Sequence, residues 1–190
     1  MIPYPLPKQI ADKAIAGVLA LVLLPFVVLL LLVLAIDMLV SPADRGSVLV
    51  HEPRVSQGET FDLLKFRTLR DDGETLTWSG RRILKPLYLD ELPQLANVLR
   101  GDISLVGPRP WPTSMVERQV AAGLDYRNRI VAGLTGTAQV TKGQGRSYAE
   151  LDLAYVDVCR RLGGWALVRY DLRVLARTPR VLARAEGLRY

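Results

Sequence analysis

The sequence predicts an α/β, mainly helical domain carried on an apolar N-terminal membrane segment. Three observations lead there. Residues 14–36 form a run of 23 without a charged side chain. Behind it, stretches with apolar residues at three- and four-residue spacing alternate with short β-rich runs and turn signals. At the end, arginines recur at helical period between apolar residues. The 190 residues are enough for one domain with a core plus an appendage. The expected divisions are an anchor over 1–40, a central domain over 41–164 and a basic surface tail over 165–190.

The apolar run, AIAGVLALVLLPFVVLLLLVLAI, would reach about 34 Å as a helix, enough to cross the hydrocarbon of a bilayer. It is too long for a cleavable signal peptide, and no small-x-small site follows it. Pro25 removes one backbone hydrogen bond and predicts a kink. A straight helix would put the N-terminus and the main domain on opposite sides. A bent one would dip into one leaflet and return. The run itself favours a span. Lys8 and Lys13 before it, and Arg45 and Arg54 after it, favour neither orientation.

The remaining elements follow in order. SPADRGS at 41–47 is a turn-rich exit from the membrane. SVLV (47–50) and TFDLLKFRTL (60–69) read as strands, with a loop at DDGE (71–74). Leu89, Leu92, Leu95 and Leu99 mark one face of a helix running from about residue 90 to 99. ISLV (103–106) is a short strand, and GPRPWP (107–112) a loop stiffened by proline. Residues 114–130 read as helical. The glycine-rich stretch 132–147 reads as a binding loop, and a helix covers 148–162.

Charge is concentrated at the C-terminus. Residues 160–190 hold eight arginines against Asp171 and Glu186, while the rest of the chain balances 17 basic with 17 acidic side chains. The whole net charge of +6 therefore lies in the tail. Arg169, Arg173, Arg177, Arg180 and Arg184, with Trp165, Val168, Leu172, Leu175 and Leu182 between them, predict an amphipathic helix on anionic lipid, divided near Pro179. Few aromatics interleave these arginines, which argues against nucleic acid as a partner. The single cysteine, Cys159, excludes an intramolecular disulfide. One histidine, His51, argues against a histidine metal site or a Ser-His-Asp triad.

Chemistry is concentrated in three places. In LYLDELPQL, Asp90 and Glu91 are adjacent, with Pro93 two residues on. Taken alone they could simply open a helix, where acids face the positive end of the dipole. KFRT places Lys65 and Arg67 on one side of a predicted strand, a pair of cations suited to a diphosphate. GPRP holds Arg109 between two prolines, which suits bidentate phosphate recognition. Each feature has a plain structural reading as well. Together they describe cations for an anionic substrate, two carboxylates and a membrane platform. Carboxylates bind Mg²⁺ beside phosphates, and one can attack phosphorus as a nucleophile. The chemistry points to phosphoryl transfer at a membrane surface.

KFRTL, LDELPQLANVLRGDISLVGPRP and GLTGTAQV, in this order behind an apolar segment, resemble the bacterial sugar transferases known as monotopic phosphoglycosyl transferases. The resemblance implies a small cytosolic catalytic domain with a re-entrant helix-break-helix anchor and C-terminal interfacial helices, on the cytoplasmic face of the bacterial inner membrane. It implies transfer of a phosphosugar from a nucleoside diphosphate sugar, usually a UDP-sugar, to polyprenol phosphate, in the first membrane step of surface glycan assembly. It assigns Asp90 as covalent nucleophile, Glu91 as the second catalytic residue and Mg²⁺ ligand, and Lys65, Arg67, Arg109, Gln139 and Asp152 to substrate binding. The exposed anchor could also support a homodimer. Three departures are plain: the break is Leu24-Pro25 rather than Ser-Pro, the usual Pro-Gly-Ile-Thr-Gly-Trp is Ala132–Thr137, and the stretch from Gln139 to Asp152 is short. A lipid-bound nucleotide-sugar hydrolase and a non-catalytic membrane adapter are the alternative readings.

Overall fold

The computed structural model describes residues 1–141, 145 and 147–179. Helix α1 spans Leu6–Val40. Strands β1 (Leu49–Ser56) and β2 (Glu59–Phe66) form an antiparallel hairpin. Its two-residue turn, Gln57-Gly58, takes positive φ at both positions, as a right-twisted hairpin requires. The predicted first strand thus starts two residues late and runs six residues further. A single π turn (Gly80–Leu84) and a 3₁₀ turn (Leu89–Glu91) lead into α2, Gln94–Arg100. Then come β3 (Ser104–Val106), α3 (Thr113–Ala121), a 3₁₀ turn at Tyr126–Asn128, β4 (Gly133–Thr135) and α4 (Thr137–Val140). Helices α5 (Tyr148–Arg161) and α6 (Gly164–Leu175) complete the described chain. The class is mainly helical α/β with two small sheets, β3 pairing β4 in parallel.

The stretch 132–147, predicted to be a binding loop, contains β4 and α4. A side chain at Gly133 would run into the Gly107 backbone, and one at Gly136 would meet the Gly107 carbonyl. These glycines let two chain segments cross; they serve packing rather than approach to a ligand.

The core is built by Val98 of α2, Ile103, Leu105 of β3, Tyr155 and Val156 of α5 and Leu167 of α6, each at most 2% exposed. Ala16 of α1 joins it. Asn97, fully buried, locks α2 to β2: its Oδ1 accepts from Leu64 N at 3.0 Å and its Nδ2 donates to the Asp62 carbonyl at 2.8 Å. A second cluster joins Leu30 and Leu34 of α1 to Phe66 and Leu84.

Helix α1 continues through Pro25 without interruption. The break implied by the resemblance is not seen: proline deletes one hydrogen bond, and the leucines and valines around it sustain the turns on either side. What α1 does with its two ends is more informative. Near the start, Lys8 Nζ pairs with Asp171 of α6 at 2.5 Å and donates to the Val106 carbonyl at 3.2 Å. One turn on, Asp12 accepts from Ser104 Oγ at 2.7 Å. At the other end, Asp37 accepts from Ser79 N at 3.0 Å. Lys8, Asp12, Ala16, Leu30, Leu34 and Asp37 are all buried, so α1 leans on one domain along much of its length. Lys8, counted above as a flanking charge, is an internal ion pair. The opposite face exposes Val18, Leu21, Val22, Val28, Leu29, Leu32 and Ile36. By length and composition alone the helix could cross a bilayer.

A labelling experiment separates the two topologies. Cys159 is buried, and burial pushes its thiol up to about 11, so it stays silent toward thiol reagents near neutral pH. Cysteines at Leu6 and Ser47, both exposed, are expected to react with a membrane-impermeant maleimide from the same side. Labelling from opposite sides would establish a span.

Helix α6 departs in part from the free interfacial helix expected of the tail. Leu167, Val168 and Val174 are buried in the domain, while Trp165, Leu172, Arg169 and Arg173 face outward. Arg180, Leu182 and Arg184 lie outside the described residues.

Candidate active site

Asp90 and Glu91 do not cap a helix. They occupy the 3₁₀ turn Leu89–Glu91, and α2 starts only at Gln94, because Pro93 serves as its N-cap. The turn is entered through Tyr88, which holds a left-handed backbone (φ 56°, ψ 25°). For a residue with a side chain this conformation costs about 1–2 kcal/mol and persists only where the surroundings enforce it. The strained residue, preceded by the π turn, turns the chain so that Asp90 is only 3% exposed yet lines a cavity of about 430 Å³.

The cavity is bounded by β1 and β2 (Arg54, Lys65), by the approach to α2 (Lys85, Tyr88, Asp90, Glu91) and by the loop Arg109–Pro112 with Met115. Four cations, Arg54, Lys65, Lys85 and Arg109, stand against two acids in this lining. Lys85 Nζ lies 2.8 Å from Asp90 Oδ2, and Arg109 Nη2 lies 2.5 Å from Glu91 Oε1. Lys65 pairs with Glu52 at 2.9 Å, and Arg54 with the same carboxylate at 2.5 Å. Burial opposes ionisation of Glu52, but the hydrogen bond and charge of Lys65, aided by Arg54, hold its carboxyl below the usual range.

The loop that presents Arg109 is held from several directions. Gly107 N donates to the Thr135 carbonyl at 2.9 Å, Gly133 N to the Pro108 carbonyl at 2.8 Å, and Val55 N to the Trp111 carbonyl at 3.0 Å. Arg127 Nη1 donates to the Arg109 carbonyl at 2.5 Å, and its guanidinium lies 3.9 Å from the Trp111 ring centre. Arg127 is in turn fixed by Asp152, 2.6 Å from Nη2. Burial pushes the Asp152 carboxyl up, against the pull of Arg127 and Tyr126. Burial and the Asp152 charge push the Tyr126 hydroxyl up to about 12, so it keeps its proton and donates to Asp152 at 2.9 Å.

Of the residues singled out in the sequence, the cavity therefore gathers Asp90, Glu91, Lys65 and Arg109. Arg67 is not among them. It lies just past the end of β2, and its buried guanidinium bonds the Asp44 carbonyl and Asp71 instead. The predicted same-face pair fails because the strand ends at Phe66. Gln139 sits on α4, outside the cavity lining, and Asp152 reaches the site only through Arg127. In the sequence Arg54 reads only as a membrane-flanking charge, and Lys85, Tyr88, Trp111 and Arg127 do not stand out as site residues. Trp111 was adjacent to the motif GPRP, and Lys85 stands five residues before Asp90; neither spacing has a periodicity that would flag it.

The chain matches the model of the bacterial sugar transferase family over residues 5–185. It belongs to that family. It is 38% identical to the UDP-glucose:undecaprenyl-phosphate glucose-1-phosphate transferase of Caulobacter vibrioides, over 92% of this chain and 71% of the relative. It is 38% identical to the uncharacterized sugar transferase EpsL of Bacillus subtilis, over 69% of this chain and 67% of EpsL. It is 32% identical to the exopolysaccharide production protein ExoY of Rhizobium meliloti, over 87% and 81% respectively. Among the sugar transferase's described residues, the acidic pair and the cavity cations lie inside the matched span.

Proposed function

We propose that this sugar transferase moves a phosphosugar from a UDP-sugar to polyprenol phosphate at the cytoplasmic face of the membrane, through a phosphosugar ester on Asp90. The observation that carries the reading is a buried carboxylate lining a cavity walled by four cations. An adapter would leave the acidic pair and the cavity cations without a joint purpose.

The reaction has two displacements. An Asp90 carboxylate oxygen forms a bond to the sugar-bearing phosphorus, and the bond from that phosphorus to the bridging oxygen breaks, releasing UMP. A phosphate oxygen of the polyprenol phosphate then bonds the same phosphorus. The aspartyl–phosphorus bond breaks, and Asp90 is restored. Lys85 orients Asp90 for the first step. Arg109 and Lys65 neutralise the phosphates, a role in which fixed charges act without reorganising. The clamps on the Arg109 loop supply that fixity.

The residues present fit Mg²⁺. Asp90 and Glu91 are two adjacent carboxylates in the lining, and Mg²⁺ characteristically takes one or two carboxylates and completes its shell with substrate phosphates and water. No group of three or more acidic, histidine or cysteine side chains that could hold a metal by itself occurs among the described residues. Glu91 would hold the ion, exchanging its contact with Arg109. When bound, the ion would polarise the diphosphate toward attack.

The polar ties at both ends of the continuous helix α1 to one domain favour an anchor that keeps both ends on the same side of the membrane. Its apolar outer face would then sit among acyl chains with the cavity near the headgroups.

Purified protein with UDP-sugars, polyprenol phosphate and Mg²⁺ is expected to release UMP, and excess EDTA to stop it. Release that ignores the lipid acceptor would instead indicate a hydrolase, and none across a broad donor panel would indicate an adapter.

A further inference from the structure

The geometry points to Trp111 as the surface on which the nucleobase of the donor stacks, with Arg127 as the residue that positions it. The inference rests on the reading of the cavity as a nucleotide-sugar site.

Trp111 follows Arg109 by two residues on one stiffened loop, with Pro110 and Pro112 on either side. Two residues of extended chain cover about 7 Å, comparable to the separation of base and phosphate within a nucleotide. A loop that grips a phosphate through Arg109 can therefore meet the base through Trp111. The ring is held from behind. The Arg127 guanidinium lies 3.9 Å from the ring centre, on one face of the indole. Arg127 is itself 5% exposed and tied to Asp152 and to the Arg109 carbonyl. Among the described residues its Nε has no hydrogen-bond partner, and its central carbon sits over the ring. The Trp111 carbonyl is pinned to β1 by Val55 N. The indole is thus fixed on one side, and the surface it keeps lines the cavity beside Met115.

A pre-positioned aromatic ring suits a planar base, because every base presents a π face. The other aromatic lining residue, Tyr88, stands two residues before Asp90 and belongs to the reacting end. Arg127 touches both the phosphate-binding arginine and the ring. One buried ion pair, Arg127–Asp152, therefore sets the spacing between phosphate and base subsites.

The test uses the full-length protein in detergent or nanodiscs and two probes, UMP and ribose 5-phosphate. The other tryptophans, Trp78 and Trp165, are exposed and outside the cavity lining, so Trp78→Phe with Trp165→Phe leaves Trp111 as sole emitter. UMP is expected to quench its fluorescence and ribose 5-phosphate is not. Trp111→Ala should weaken UMP binding and raise the donor KM by about 5- to 150-fold, the range of one base–aromatic stack. The KM for polyprenol phosphate and kcat should change little, and Trp111→Phe should restore most of the loss. Trp111→Leu keeps apolar bulk without the ring and reads the same effect if the alanine variant folds poorly. Equal UMP affinity in wild type and the leucine variant overturns the stacking surface while leaving the cavity assignment intact. Failure of both UMP and ribose 5-phosphate to bind the wild type overturns both.

Discussion

Asp90→Asn is expected to abolish UMP release, by at least about 10³-fold in kcat, since removing a covalent nucleophile eliminates the first displacement rather than slowing it. The substitution is nearly isosteric, and the Asp90 side chain meets Lys85, whose other surface is open to solvent, so the fold should survive. Folding is checked by an unchanged melting temperature. Glu91→Gln is expected to act differently, raising the Mg²⁺ concentration needed for half-maximal turnover, because Glu91 pairs with Arg109 while Asp90 pairs with Lys85, and on the proposed reading Glu91 holds the ion. Near-normal turnover in the asparagine variant would remove the covalent route and leave direct transfer between donor and acceptor.

The largest effect on stability is expected at Lys8. Its ammonium lies 2.5 Å from Asp171 and 3.6 Å from Asp12, with all three side chains almost inaccessible to water. The Tyr155 hydroxyl lies 2.9 Å from the other Asp171 oxygen. Lys8→Met leaves two buried carboxylates without their cation. Removing one partner of a buried pair costs about 3–5 kcal/mol, a fall in Tm of roughly 6–20 °C for a chain of this size. The pH dependence has a definite sign. Burial pushes the Asp171 carboxyl up, and Lys8 pulls it down. Without Lys8 the folded protein holds a proton on Asp171 over a wider pH range than the unfolded chain does. Stability then falls as pH rises from the ordinary carboxylate range through the raised folded value, so the variant should be relatively more stable in mild acid. Lys8→Met combined with Asp171→Asn should recover part of the loss. A Lys8→Met protein as stable as wild type at neutral pH would show that this cluster does not hold α1 to the domain.

Much of the site was legible because its residues lie in short local patterns. Asp90 and Glu91 are adjacent, Arg109 is framed by prolines and Lys65 sits on a recognisable strand. The failures have physical causes. Arg67 was placed by strand alternation, which holds only while the strand lasts, and β2 ends one residue earlier. The glycines at 133 and 136 suggested ligand approach, but a close crossing with Gly107 asks for the same residue type. In the sequence Lys8 reads as a flank of a membrane helix, and Asp12 and Asp37 do not stand out. Their partners, Asp171, Ser104 and Ser79, are remote in sequence, and no periodicity links them. Arg127 was invisible for the same reason, since its contacts to Asp152, Arg109 and Trp111 exist only once α5 and the loop are packed together.

The central claim is tested most directly by intact-mass and peptide-mass measurement of the protein incubated with UDP-sugar and Mg²⁺ in the absence of lipid acceptor. The expected result is a phosphosugar mass on the peptide bearing Asp90, absent from Asp90→Asn and lost on adding polyprenol phosphate. An unmodified peptide, under conditions where the same preparation turns over with acceptor present, would contradict it.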